Sequence, residues 1–190
     1  MRIPYLGKNF NEYREFFQFK LSELLITCTV CGSKTHRHGG YWRNAWCTEN
    51  TRKEKLWIVR VKCANEGCGT THALIPDFLI PFKKYVACEV EEAVMEQLES
   101  HKIATLDTEA DESTIHRWWR QYKERTTKVA NELESLLMKE YSKMVSLLKA
   151  DMVGVKRLKI LIENFPQILN TCVFGASNQW LNAAGLFVYL

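Results

Sequence analysis

Four cysteines stand in two short turns, Cys28-Thr-Val-Cys31-Gly32 and Cys63-Ala-Asn-Glu-Gly-Cys68-Gly69. Thiolate sulfur in a tetrahedral array is what zinc prefers, and a Cys-x-x-Cys turn offers two thiolates to one ion while backbone N–H groups support their charge. Each pair is followed by glycine, which permits the tight backbone of a metal knuckle. The second pair is spaced more widely, by four residues instead of two, so His36, His38, Cys47 or His72 could stand in for one cysteine. Four protein ligands close the coordination shell and leave no open position, so the Zn2+ expected here is structural and not catalytic.

The surrounding sequence must bring those turns together. The thirty-one residues between Cys31 and Cys63 suit a two-stranded excursion: a turn at Gly39-Gly40, an aromatic strand from Tyr41 to Cys47, a polar loop TENTRKE, and a return strand KLWIVRVK that runs directly into Cys63. Before it, the aromatic and leucine-rich lead-in has Tyr13, Phe16, Phe17, Phe19, Leu21, Leu24 and Leu25 at mostly helical spacing. After it, ALIPDFLIPFKKY carries Pro76 and Pro81 and reads as an extended apolar connector.

Beyond the connector the period becomes helical. Val90, Val94, Met95 and Leu98 make one apolar face opposite glutamates. A short element is expected over Ile103 to Leu106, and Asp111 caps a third helix, DESTIHRWWRQYKER, with Ile115, Trp118, Trp119 and Tyr122 at three- and four-residue steps. Val129, Leu133, Leu136, Leu137, Tyr141, Met144 and Leu148 continue that spacing, which allows either a homodimer seam through residues 129–148 or packing on the chain's own C-terminal segment. The fold class is therefore α+β: a small N-terminal β zinc ribbon, then a mostly α-helical helix-turn-helix and C-terminal helices. We divide it into a lead-in (1–27), the ribbon with its connector (28–88), the helix-turn-helix (89–125) and a C-terminal helical region (126–190).

Charge is distributed in blocks. From Cys28 to Lys84 ten Lys or Arg face four acids; from Glu89 to Glu112 nine acids face Lys102; from Thr114 to Lys128 the balance is five to one in favour of base. The net charge of +4 is too modest to identify a polyanion binder by itself. The distribution is more telling. A recognition helix needs polar tips and basic flanks, and Ser113, Thr114, His116, Arg117, Arg120 and Lys123 supply them. Arg37, Arg43, Arg52, Lys53, Lys55, Arg60 and Lys62 make the ribbon basic too, suited to phosphates. Double-stranded DNA is the expected partner.

Seven cysteines is an odd number, and MRIPYLGKNFNEYREFF has aromatic and charged residues where a signal peptide carries an apolar run. These point to a cytoplasmic chain in which clustered cysteines are metal ligands and not disulfides. Cys88 and Cys172 read as small buried apolar residues. No run reaches the roughly 18 apolar residues of a membrane span.

The segments CxxCGS, RHGGYWRNAW, IVRVKC, CGTTHALIPDFLIPFKKY and STIHRWWR together resemble a transposase-like zinc-ribbon protein family of unknown function, made up of short bacterial and mobile-element proteins. The resemblance spans residues 1 to 125, and THALIPDFLIPFKKY is its most specific part. It implies a zinc ribbon followed by a helix-turn-helix, akin to the DNA-binding front end of insertion-sequence transposases. Carried over by position, Cys28, Cys31, Cys63 and Cys68 are the metal ligands, and the helix beginning near Ser113 reads the groove. A transposase cuts DNA with three acidic residues on a large nuclease-like sheet. Asp151 and Glu163, in the helical stretch after Lys128, have no strand pattern around them. The expectation is a non-catalytic, zinc-dependent DNA-binding protein, an accessory, remnant or regulator. The alternative is a protein-interaction adaptor that docks through the acidic and long amphipathic helices.

Overall fold

The return strand is where the sequence alternates most clearly, and it becomes the middle of a three-stranded antiparallel sheet in the order β1-β2-β3. A computed structural model describes residues 10–19, 26–47, 52–76, 78–100, 108, 110–141, 154–165 and 172–183. Strand β1 is Thr35–Cys47, β2 is Arg52–Cys63 and β3 is Thr71–Ala73; helix α1 is Phe10–Phe19. The expected turn at Gly39-Gly40 is not a turn. Both glycines lie within β1, where the pairing passes from Arg37↔Val61 to Gly40↔Val59. His38 and Gly39 therefore face Arg60 alone, a β-bulge, with Gly39 in the left-handed region at φ 69°. Gly40 has its own reason: a Cβ there would lie 2.5 Å from the Ile58 carbonyl oxygen and 2.7 Å from the Trp57 ring. Strand β3 was not expected, because three residues are too few to show a period.

One sheet face buries Ala45, Leu56 and Ile58 under Phe10 and Tyr13 of α1. The Tyr13 hydroxyl donates to the Trp57 carbonyl oxygen at 3.0 Å, and Arg14 pairs with Glu54 at 2.5 Å. Leu74, Phe78, Leu79 and Val86 complete that core from the connector. The connector is less extended than its prolines suggest. It folds back on itself through Leu79↔Val86, lies along β1 through Trp46↔Tyr85, and passes directly into α2, Ala87–Ser100.

Helix α3, Glu112–Tyr141, is continuous through residue 125, where the sequence suggests a division. Its N-terminus is capped by Asp111, whose carboxylate accepts the Thr114 N–H and the Thr114 hydroxyl, both at 2.9 Å. With α4 (Gly154–Glu163) and α5 (Val173–Ala183), helices α2 and α3 enclose a second core. Val129, Leu133 and Leu137 are fully buried there against Leu158, Leu161, Phe165 and Phe174. These residues face the chain's own C-terminal helices. Arg157 of α4 pairs with Glu134 of α3 at 2.7 Å. Glu91 of α2 accepts the Phe174 N–H at 2.7 Å, so part of the acidic face serves inside the fold as a cap for α5.

Leu21, Leu24 and Leu25, residues 48–51 of the polar loop, the Ile103–Leu106 element, Met144, Leu148, Asp151 and the tail beyond Ala183 lie outside the described residues. No helix among the described residues is long and apolar enough to cross a membrane.

Candidate metal centre and basic groove

The first cysteine turn is closed by backbone pairing: Thr27 bridges Lys34, the Cys28 N–H donates to the Ser33 oxygen at 2.8 Å, and the Gly32 N–H donates to the Cys28 oxygen at 2.9 Å. Gly32 takes φ 72°, as its place after Cys31 requires. The second turn links β2 to β3. Its two additional residues are absorbed by Asn65, whose carbonyl oxygen accepts the N–H groups of Cys68 and Gly69 at 3.0 and 2.9 Å. The Asn65 side chain also accepts the Gly67 N–H at 3.0 Å. The Cys63 N–H donates to the Thr70 oxygen at 2.9 Å, and the Ala64 N–H donates to the Lys34 oxygen at 2.9 Å, which draws the two turns together.

The four Sγ atoms of Cys28, Cys31, Cys63 and Cys68 consequently lie within 4.8 Å of one another. Cys28 and Cys68 are 3.8 Å apart and Cys31 and Cys63 are 3.4 Å apart. Metal–thiolate bonds of about 2.3 Å in a tetrahedron require sulfur separations near 3.8 Å, so the four donors suit one tetrahedral cation. A disulfide needs about 2.05 Å, and all four thiols are free. The hydrogen bonds around them favour thiolate at two positions. The side chain and backbone of Ser33, followed by Cys63, hold Cys31 down at about 6, and the hydroxyl and backbone of Thr70 lower Cys68. Burial instead pushes Cys63 up to about 12. Charges this close need a cation to ionise together.

Among the alternative ligands, His36 and His38 are exposed on β1 and Cys47 pairs with Arg52 at the far end of the hairpin. His72 on β3 does reach the cluster: its Nε2 lies 3.2 Å from the Cys28 sulfur. In that position it can hydrogen-bond a ligand sulfur, the kind of outer contact that orients metal ligands. Cys88 is exposed, contrary to the expectation of burial, while Cys172 is half-buried.

The residues expected to meet DNA are not all equivalent. Ser113, His116, Arg117, Arg120 and Lys123 are exposed along α3. Lys123 lies over the Trp119 ring, 4.3 Å from its centroid, and His116 approaches Glu112 at 3.6 Å. Thr114 is buried, with its hydroxyl committed to Asp111, so it belongs to the helix cap. Arg37 and Arg60 are exposed beside the bulge, near the cysteine end of the sheet. Lys53 pairs with Trp46 on the sheet, and its side chain lies outside the described residues. Arg43 is engaged within the fold: its guanidinium donates to the carbonyl oxygens of Ile80, at 2.5 Å, and Lys83, clamping the connector to β1. It is half-buried, with this one nitrogen engaged by the connector backbone.

Lys83, Lys84 and Arg125 stand outside the set of residues expected from the sequence to meet DNA. Together with Arg117 they line a groove of about 500 Å³ between the connector turn and α3. Lys83 donates to the Gln121 side-chain oxygen at 2.8 Å, and burial, followed by the nearby charges of Arg125 and Arg117, holds its ammonium down at about 8. The adjacent lysines directly after Pro81-Phe82 were the available signal.

Residues 28–118 match the family described as a domain of unknown function, DUF6431. The matched stretch begins on the first clustered cysteine and ends inside α3, so it takes in the sheet, the connector, α2 and the first turns of α3. No curated protein and no solved structure matches the chain.

Proposed function

We propose that the chain is a non-catalytic DNA-binding protein, stabilised by a structural zinc ion and related to the DNA-binding front end of transposases as an accessory, remnant or regulator. Cys28, Cys31, Cys63 and Cys68 hold the zinc, which fixes the ends of β1 and β2 and so the connector lying along β1. In this reading α2, the short element expected over Ile103–Leu106 and α3 make the helix-turn-helix, with the first turns of α3 in the major groove.

The observation that carries the proposal is the convergence of Arg117 and Arg125 of α3 with Lys83 and Lys84 of the connector around one groove. Arg120 and Lys123 extend the exposed basic row along the helix. Such a row offers phosphate contacts over neighbouring turns, and each one makes affinity depend on salt. The adaptor reading is weaker, because Val129, Leu133 and Leu137, the centre of its docking stripe, are covered by α4 and α5.

A mobility shift of zinc-loaded protein on duplex DNA across a salt series tests this. Binding should fall steeply with salt, and the double variant Arg117→Ala, Arg120→Ala should lower both affinity and slope, the slope by about one unit per lost phosphate contact. Absence of any shift at low salt returns the adaptor to first place. Cleavage of DNA with magnesium or manganese that disappears in Asp151→Asn would overturn the non-catalytic assignment.

A further inference from the structure

The connector turn Pro81-Phe82-Lys83-Lys84 carries a residue unusual in two respects. Phe82 adopts φ 65°, alone among the described non-glycine residues in the left-handed region. A bulky side chain there is strained, and such strain persists only where the surroundings impose it. The residue is also 93% exposed, so burial in the fold does not offset the strain.

The surroundings do impose it. Arg43 grips the Ile80 and Lys83 carbonyl oxygens from the sheet side. Lys83 is tied to Gln121 from the α3 side, and the Trp46 N–H donates to the Lys84 oxygen at 2.7 Å. The turn is held from both sides, so a ligand meeting the ring need not order the backbone beneath it.

The chemistry beside the ring selects the ligand. Of the residues lining the groove, Lys83, Lys84, Arg117 and Arg125 are cationic and Asp111 is the single carboxylate. Asp111 is already engaged with Ser113 and Thr114. Crowded cations beside an exposed aromatic face match a nucleotide, with phosphate for the charges and a base for the ring. Apolar side chains pushed between base pairs unstack and kink a duplex, and nearby cations hold the phosphates on either side.

We infer that Phe82 is a wedge that enters a base step of the DNA bound by α3, while Lys84 and Arg117 hold the flanking phosphates. This rests on the DNA-binding reading above. The wedge and α3 then act on one duplex from a single rigid unit, because the turn is bonded to α3 itself.

The test uses the full zinc-loaded chain and a short duplex enriched by it from a random pool, prepared with 2-aminopurine at successive positions. Wild-type protein should raise the fluorescence at one step, reporting unstacking, and energy transfer between end labels should report a bend. Phe82→Gly relieves the left-handed strain, so its melting temperature should equal or exceed that of wild type. It should nevertheless bind roughly tenfold more weakly, with an unchanged salt slope and neither signal. Phe82→Leu should keep a reduced signal at the same step. Unstacking and bending that persist in Phe82→Gly, or that are absent in a wild-type complex still formed with a steep salt slope, overturn the wedge and leave DNA binding intact. Failure to retain any duplex overturns both, and capture of an acidic peptide that depends on Phe82 reassigns the groove to a protein partner.

Discussion

Around the sheet, eleven apolar side chains close a core among the described residues, reaching from Phe10 on α1 to Val86 on the connector. Around helices α2 to α5 seventeen do so, with Leu133, Leu137, Leu158 and Leu161 fully buried at its centre. A core the size of the first is marginal by itself, and small units of this kind commonly depend on a metal or a disulfide. The cysteine cluster sits at the joined ends of β1 and β2, where the proposed zinc would supply such a staple. The helical region has no such cluster among its described residues, and its stability comes from packing.

The most direct way to break this contrast is to remove the zinc proposed for the cysteine cluster. In small metallo-domains the apparent binding free energy of structural zinc is about 10–16 kcal/mol and is coupled to folding. A strong chelator, or Cys63→Ser, should therefore remove hydrogen-exchange protection from β1, β2 and β3 while the amides of α3 and α4 stay protected. Sheet amides that remain slow to exchange in chelator would show that the smaller core suffices.

The converse perturbation is Leu133→Ala. Truncating a fully buried leucine costs about 2–5 kcal/mol, depending on how far the site collapses. The loss should appear in the unfolding transition of the helices, with one zinc per chain retained and sheet protection unchanged. If zinc is lost together with the helices, the two regions fold as one unit, with the connector as the obvious coupling.

That same connector separates what could be read in the sequence from what could not. The cysteine turns were legible because ligand type and spacing are local, as were the helical stripes through Trp118 and Leu133. Gly39-Gly40 forms a bulge where the sequence predicts a turn, since a glycine at positive φ serves either and only the pairing with Val59 and Val61 distinguishes them. The engagement of Arg43 is invisible in the sequence, which reports charge and not burial. Its partners are backbone carbonyl oxygens some forty residues away. The basic groove escaped for a similar reason: Lys83 and Arg117 are far apart in sequence, and only the folding of the connector against α3 brings them together.

A finer test of the contrast comes from acid. The Asp111 carboxyl is held down at about 2 by hydrogen bonds from Ser113 and then Thr114, below its ordinary value near 3.9. A carboxylate stabilised in the folded state contributes fully above its unfolded value, and that contribution fades as pH falls through the window between about 4 and 2. Asp111→Asn keeps a capping side chain but no titrating charge. The variant should match wild type in melting temperature well below this window and fall slightly short of it above. Cysteine ligands compete with protons for their metal, so descending pH should release zinc and unfold the sheet before the α3 cap is lost. Loss of α3 helicity at a higher pH than zinc release would reverse the order of stability assigned to the two regions.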